Sequence, residues 1–184
     1  MRNQFDRQLN TLNGELIQMG HMVEQAIEHA IEAMVHQDAE KARQNMEFDS
    51  EVDQQEKDIE TLCMKLLMKQ QPVARDLRLI SAALKMITDM ERIGDQASDI
   101  SEIVKMAHIT ATDSVVHIGE MARATIKMVT ESVDAFVRRN VKIAQDVIAY
   151  DDIVDSLFNK VKDELIQYIA KNPQDGEYAV DLMM

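Results

Sequence analysis

Carboxylates recur one helical turn apart along two stretches of this chain, and that spacing is where its chemistry is most visible. Between Met86 and Glu102, the side chains of Glu91, Asp95 and Asp99 stand four residues apart, so a helix stacks them as an acidic row. In an earlier stretch Asp49, Asp53, Glu56 and Glu60 fall at i, i+4, i+7 and i+11, inside roughly a 60° arc at about 100° per residue. Both rows border apolar faces; Ile87, Met90, Ile93, Ala97, Ile100 and Val104 occupy the arc beside Glu91 and Asp95. Carboxylates that are partly desolvated and near others of their sign have raised pKa values unless a cation or a donor compensates them. If two helices bring these rows together, they offer oxygen ligands alone. Such a site suits Mg²⁺, Mn²⁺, Ca²⁺ or ferric iron, and without His or Cys it favours neither Zn²⁺ nor Cu. The other reading is a pair of solvated faces on an acidic protein.

No catalytic constellation accompanies the rows. The Glu-x-x-His spacing of di-iron bundles is missing, His117 and Glu120 standing in the reverse order, and the five histidines form no i,i+4 pair. There is no P-loop and no Gly-x-Ser-x-Gly elbow. Cys63, the single cysteine, falls on the apolar face of its helix, where a buried, reduced thiol is expected rather than a nucleophile. The chain therefore reads as a non-enzyme.

The elements that must carry these residues are helices. Apolar residues make up 46% of the chain, which excludes a disordered class, and 5 Gly, 2 Pro, no Trp and 4% aromatics leave little material for turns and sheets. Phe5, Leu9, Leu12, Leu16, Met19, Val23, Ile27, Ile31 and Met34 recur at threes and fours, predicting one long amphipathic helix that ends near His36. Asp38 is placed to cap a second helix, which carries Val52, Ile59, Leu62, Cys63, Leu66 and Leu67 inward to about Gln70. Pro72 marks the break before a third, which fades near Ile109. After Thr110 to Asp113 the pattern resumes through Val129, Val133 and Val137. Asn140 then caps a helix running through Val147, Val154, Leu157, Val161 and Leu165, and Asn172 to Gly176 breaks it.

The halves resemble each other. An offset of 102 positions pairs Met19 with Met121, Val52 with Val154, and Phe48, Asp49 and Asp53 with Tyr150, Asp151 and Asp155. At a slightly larger offset Ala74, Asp76 and Leu77 match Ala179, Asp181 and Leu182, which is the opening of a second copy of the third helix. The expected fold is all-α: two tandem antiparallel three-helix bundles, residues 1–109 and 110–184, the second truncated at its third helix. In that arrangement the stripes of Val129, Val133, Leu157, Val161 and Leu165 lack part of their cover, to be supplied by a longer chain or by another copy.

A net charge of -13, with 20 Lys plus Arg against 33 Asp plus Glu and no basic cluster, argues against a nucleic-acid surface. No secretory h-region and no apolar run near the ~18 residues of a membrane span is present, so a cytoplasmic protein without membrane insertion is expected.

Several of these stretches together resemble the PhoU family of phosphate-transport accessory and signalling proteins. They are Phe5-Asp6-Arg7-Gln8-Leu9, Met19-Gly20, Phe48-Asp49 through Asp53, Asp76-Leu77-Arg78, and Glu91-Arg92-Ile93-Gly94-Asp95. The resemblance implies two similar three-helix bundles, with acidic motifs associated with metal clusters at the bundle surface. On this chain those motifs are Asp49 with Asp53, Glu91 with Asp95, and Asp151 with Asp155. It further implies negative regulation of the phosphate-starvation response and control of phosphate uptake, through a phosphate ABC transporter ATPase (PstB-like) and a sensor histidine kinase (PhoR-like), by a homodimer. The second copy departs from the pattern: Phe158 and Lys162 stand where Glu56 and Glu60 stand in the first. An alternative keeps the architecture alone, as a metal-binding helical scaffold whose partners are unrelated to phosphate.

Overall fold

The 3.6-residue periodicity is realised as helices from end to end. The computed structural model describes residues 2–70, 73–106 and 113–183. It comprises α1 (Arg2–His36), α2 (Ala39–Gln70), α3 (Ala74–Met106), α4 (Asp113–Arg138), α5 (Val141–Lys171), a 3₁₀ turn (Pro173–Asp175) and a short α6 (Gly176–Asp181), with no strand among the described residues. Pro72, the stretch Thr110 to Thr112 and the division between residues 109 and 110 lie outside the described residues.

Helices α1, α2 and α3 pack side by side around one core. Leu12, Leu16, Met19 and Val23 of α1 meet Val52, Ile59, Cys63 and Leu66 of α2 and Ile80, Ala83, Ile87 and Met90 of α3, all nearly or fully excluded from water. At about 1.5–3 kcal/mol for each large apolar side chain buried, this shared core is the main force holding α2 and α3 in register.

The turns that reverse the chain are built alike, 102 positions apart. Gln37 follows α1 with φ 52° and Arg139 follows α4 with φ 55°, both left-handed without being glycine. The amides of Gln37 and Asp38 donate back to Met34 and Ala33 carbonyls, and those of Arg139 and Asn140 donate to Phe136 and Ala135 carbonyls; each pair forms a Schellman motif. The residue after each left-handed position caps the next helix. Asp38 Oδ1 accepts from the Glu40 and Lys41 amides at 3.1 and 3.0 Å, and Asn140 Oδ1 from those of Lys142 and Ile143 at 3.0 and 3.3 Å.

The expected exposure along α4 and α5 falls elsewhere. Val129 and Val133 are buried, at 7% and 5%, because α4 lies against α1 and joins the first core. Val161 and Leu165 are buried by Ala179 and Leu182, which the short α6 folds back against α5, with Ala33, Met34, Ala42 and Val104 completing that cluster. Leu157 is half-buried. What faces water is another stripe of α5, with Ile148 at 74% and Ile166 at 57%. Periodicity marks a helix's apolar faces; which of them finds a partner depends on where neighbouring helices lie.

Candidate metal centre

The two acidic rows meet. Helices α2 and α3 run side by side, held by the buried pairs above, and their rows face each other at the edge of that core. One carboxylate oxygen from each of Asp53, Glu91 and Asp95 lies within 4.8 Å of the others. Burial holds the Asp49 carboxyl above the ordinary carboxylate range, and the charges of Asp95, Asp53 and Asp99 push in the same direction. Glu91 is raised likewise, first by burial and then by Asp95, Glu56, Asp53 and Asp49. Lys57 approaches Asp53 at 3.6 Å from an exposed position, a pair too wet to offset several gathered charges. Thr88 Oγ1 donates across the helix pair to Glu56 Oε1 at 3.2 Å, tying the rows together one turn below Glu91.

The residues singled out by spacing thus separate into groups. Asp49, Asp53, Glu91 and Asp95 are half-buried and drawn together, and Asp99 is exposed at the rim, near enough to act on Asp49. Asp151 and Asp155 are both exposed on α5. Among the described residues they join no group of three ligating side chains, and Asp151 borders a groove beside Asp89 and Met90 of α3. The donor set fits a hard cation: it is all carboxylate oxygen, partly desolvated, and its repulsion is relieved by positive charge. Burial, with the nearby charge of Glu60, pushes the Cys63 thiol up to about 11, so it stays protonated.

Three supporting residues escaped the reading from spacing. Asn45, one turn before Asp49 and 1% exposed, donates through Nδ2 to the Ala26 carbonyl at 3.0 Å and to Ser101 Oγ at 2.9 Å, linking α1, α2 and α3. Gln55 Nε2 donates to Glu15 Oε2 at 2.8 Å and fixes α2 against α1. Both look like ordinary surface amides in the sequence, and only the α2 helical phase, which puts Asn45 four residues before Asp49 and seven before Val52, hints at burial. The third is Gly94, a buried residue beside Asp95 that lies against Val52 across the α2–α3 contact.

Fold and site together define an all-helical bundle protein with an acid-lined seam between two neighbouring helices. The chain matches the PhoU domain over residues 16–104 and 118–184, and it belongs to the PhoU family. It is 33% identical over 177 residues to the phosphate-specific transport system accessory protein PhoU homolog of Aquifex aeolicus, covering 96% of this chain and 80% of that one. The homolog of the same name from Clostridium acetobutylicum is 36% identical over 173 residues, covering 93% and 79%. Among solved structures, PhoU from Pseudomonas aeruginosa superposes with a TM-score of 0.90 at 30% identity, over 97% of this chain and 87% of that one. The phosphate transport system regulatory protein PhoU from Streptococcus pneumoniae shares the fold, with a TM-score of 0.83 at 22% identity over 97% and 88%. No helix among the described residues is long and apolar enough to cross a membrane.

Proposed function

We propose that this protein is an accessory regulator of phosphate uptake that keeps the phosphate-starvation response off when phosphate is plentiful. The observation that carries the reading is the extent of the PhoU match, which runs through both halves and includes the helices that form the acidic seam, in relatives named as accessory proteins of phosphate-specific transport. In this reading the protein works in the cytoplasm, as a homodimer, by binding rather than by catalysis. Its partners are the PstB-like ATPase of a phosphate ABC transporter and a PhoR-like sensor histidine kinase.

Asp49, Asp53, Glu91 and Asp95 would hold a hard cation, Mn²⁺, Mg²⁺ or iron, with Asp99 at its edge. Bound there, the cation supplies charge neutralisation and a cross-link between α2 and α3. The residues themselves supply the oxygen ligands, and the core beneath them fixes the distance between the two rows.

The test is a deletion strain carrying a reporter for a phosphate-starvation promoter. Expression in phosphate-rich medium, reversed by returning the gene, is the expected result; a promoter that stays silent in the deletion strain overturns the regulatory reading. Co-purification with the transporter ATPase, compared in phosphate-rich and phosphate-limited cells, tests the partner.

A further inference from the structure

We propose that Gly94 is a positioning residue for the cation site: the missing side chain lets α3 approach α2 closely enough for the two acidic rows to share one ion. This inference rests on the cation reading above and goes beyond it by naming what sets the width of the site.

A Cβ at Gly94 would stand 3.1 Å from Val52 Cγ1, 3.7 Å from Val52 Cβ and 3.9 Å from Asp49 Oδ1. The first of these is tighter than ordinary carbon–carbon contact, so a methyl group there must move Val52 or separate the helices. Val52 is fully buried and β-branched, hence stiff at χ1, which leaves helix separation as the easier adjustment. The position of the contact matters as much as its closeness. Val52 lies between Asp49 and Asp53 on α2, and Gly94 lies between Glu91 and Asp95 on α3, so this close contact falls among the four carboxylates.

Backbone conformation gives no reason for a glycine here. Gly94 sits inside α3 and no glycine in the described chain has a positive φ, so any residue could adopt its backbone angles. Glycine within a helix weakens it, and the closeness of Val52 is the compensating reason for its presence. The other glycines provide contrast. Gly14 has open space where its Cβ would be, whereas Gly20 faces Val133 Cγ2 at 3.2 Å across the α1–α4 contact, away from the acidic rows. Gly20 is therefore a control with similarly close packing outside the α2–α3 seam, in a groove where Glu131 and Asp134 stand with Arg138.

Separating the rows should weaken small cations more than large ones, because Mg²⁺ and Mn²⁺ need shorter and more regular oxygen distances than Ca²⁺. The experiment is calorimetric titration of the full chain, stripped with chelator, with Mn²⁺ and with Ca²⁺, each variant first shown to be folded by circular dichroism. Gly94→Ala is expected to lose about tenfold or more in Mn²⁺ affinity and distinctly less for Ca²⁺. Gly20→Ala should leave both affinities and their ratio unchanged. Adding Val52→Ala to Gly94→Ala makes room for the new methyl and should restore most of the Mn²⁺ affinity. Should Gly94→Ala not fold, Val52→Ile presses on the same contact from α2 and carries the same expectation. If the unsubstituted protein binds Mn²⁺ and Gly94→Ala binds it equally, with the same Mn²⁺ to Ca²⁺ ratio, the positioning role is overturned and the cation site stands. If the unsubstituted protein binds neither ion, the cation reading falls and this inference with it.

Discussion

Helices α2 and α5 start at matching turns and carry the same aromatic followed by Asp-x-x-x-Asp, yet their acidic residues meet different surroundings. On α2, Phe48 packs edge-on to His29 with ring centres 6.3 Å apart, and Asp49 and Asp53 look across to Glu91 and Asp95. On α5, Tyr150 takes the Lys127 ammonium over its ring at 4.0 Å, and Asp151 and Asp155 stay in water. The motif on one helix is therefore half of a candidate site. A ligand set belongs to a helix pair and arises where a second acidic row is packed at the right phase and separation.

The largest difference expected between the halves is in stability. Ile59→Ala, at a fully buried α2 position among three helices, should cost about 2–5 kcal/mol. Phe158→Ala on α5, 45% exposed, should cost about 1 kcal/mol or less, both read from urea unfolding midpoints. Similar costs would mean that α5 has more cover than this structure gives it.

Cation binding comes next. The pair Asp53→Asn and Asp95→Asn should lower Mn²⁺ affinity by about a hundredfold, whereas Asp151→Asn with Asp155→Asn should leave it within about twofold. Calorimetry on chelator-stripped protein decides the matter. An equal loss in both pairs would erase the contrast drawn here.

The turns predict a likeness instead of a difference. A left-handed non-glycine residue carries backbone strain that glycine does not, so Gln37→Gly and Arg139→Gly should each stabilise by about 0.5–1 kcal/mol. A gain at one turn and a loss at the other would break their equivalence.

The smallest expected effect depends on pH. Asp49 and Glu91 hold their protons more tightly in the folded protein than an unfolded chain would, so their favourable contribution is complete below the usual carboxylate range. It is lost as pH rises through their raised values toward neutrality. Glu32 and Glu40 act in the opposite sense through Lys41 and Arg43, so the clean measurement is a difference. Without metal, Asp49→Asn should be more stable than the unsubstituted protein near neutral pH and equal to it in acid. Parallel stability curves across that range would show that the Asp49 charge is already compensated.

Much of this architecture could be read from residue types. The α1 stripe, the caps at Asp38 and Asn140, the break at Asn172 and the phase of the two acidic rows all follow from local geometry, which a sequence states directly. What escaped it lies in two local backbone conformations and in pairs of distant residues. Gln37 and Arg139 adopt a conformation that their chemistry does not announce, and Asn45 is buried because Ser101 and the Ala26 carbonyl happen to reach it. The docking of α4 on α1 requires Gly20 and Val133 to meet across more than a hundred residues. For the candidate site, spacing marked the carboxylates of the two rows, and Phe158 and Lys162 in place of Glu56 and Glu60 already set Asp151 and Asp155 apart, but nothing in it pointed to the closeness of Gly94 to Val52.

The paired turns bear on the order in which the chain folds. Each is specified within a few residues, from Ala33 to Lys41 and from Ala135 to Ile143, so the α1–α2 and α4–α5 hairpins need little chain closure and can form early. If α3, whose link from Gln70 to Ala74 is almost as short, seats only after those hairpins, the meeting of Glu91 and Asp95 with Asp49 and Asp53 is the last large event. A cation that engages both rows then acts after the rate-limiting barrier, holding the native state without hastening its formation. Stopped-flow measurements should accordingly show Mn²⁺ slowing unfolding while refolding keeps its pace; a faster refolding limb would place the meeting of the rows before the barrier. With refolding unchanged, the acidic seam is, in kinetic terms, a latch that closes late.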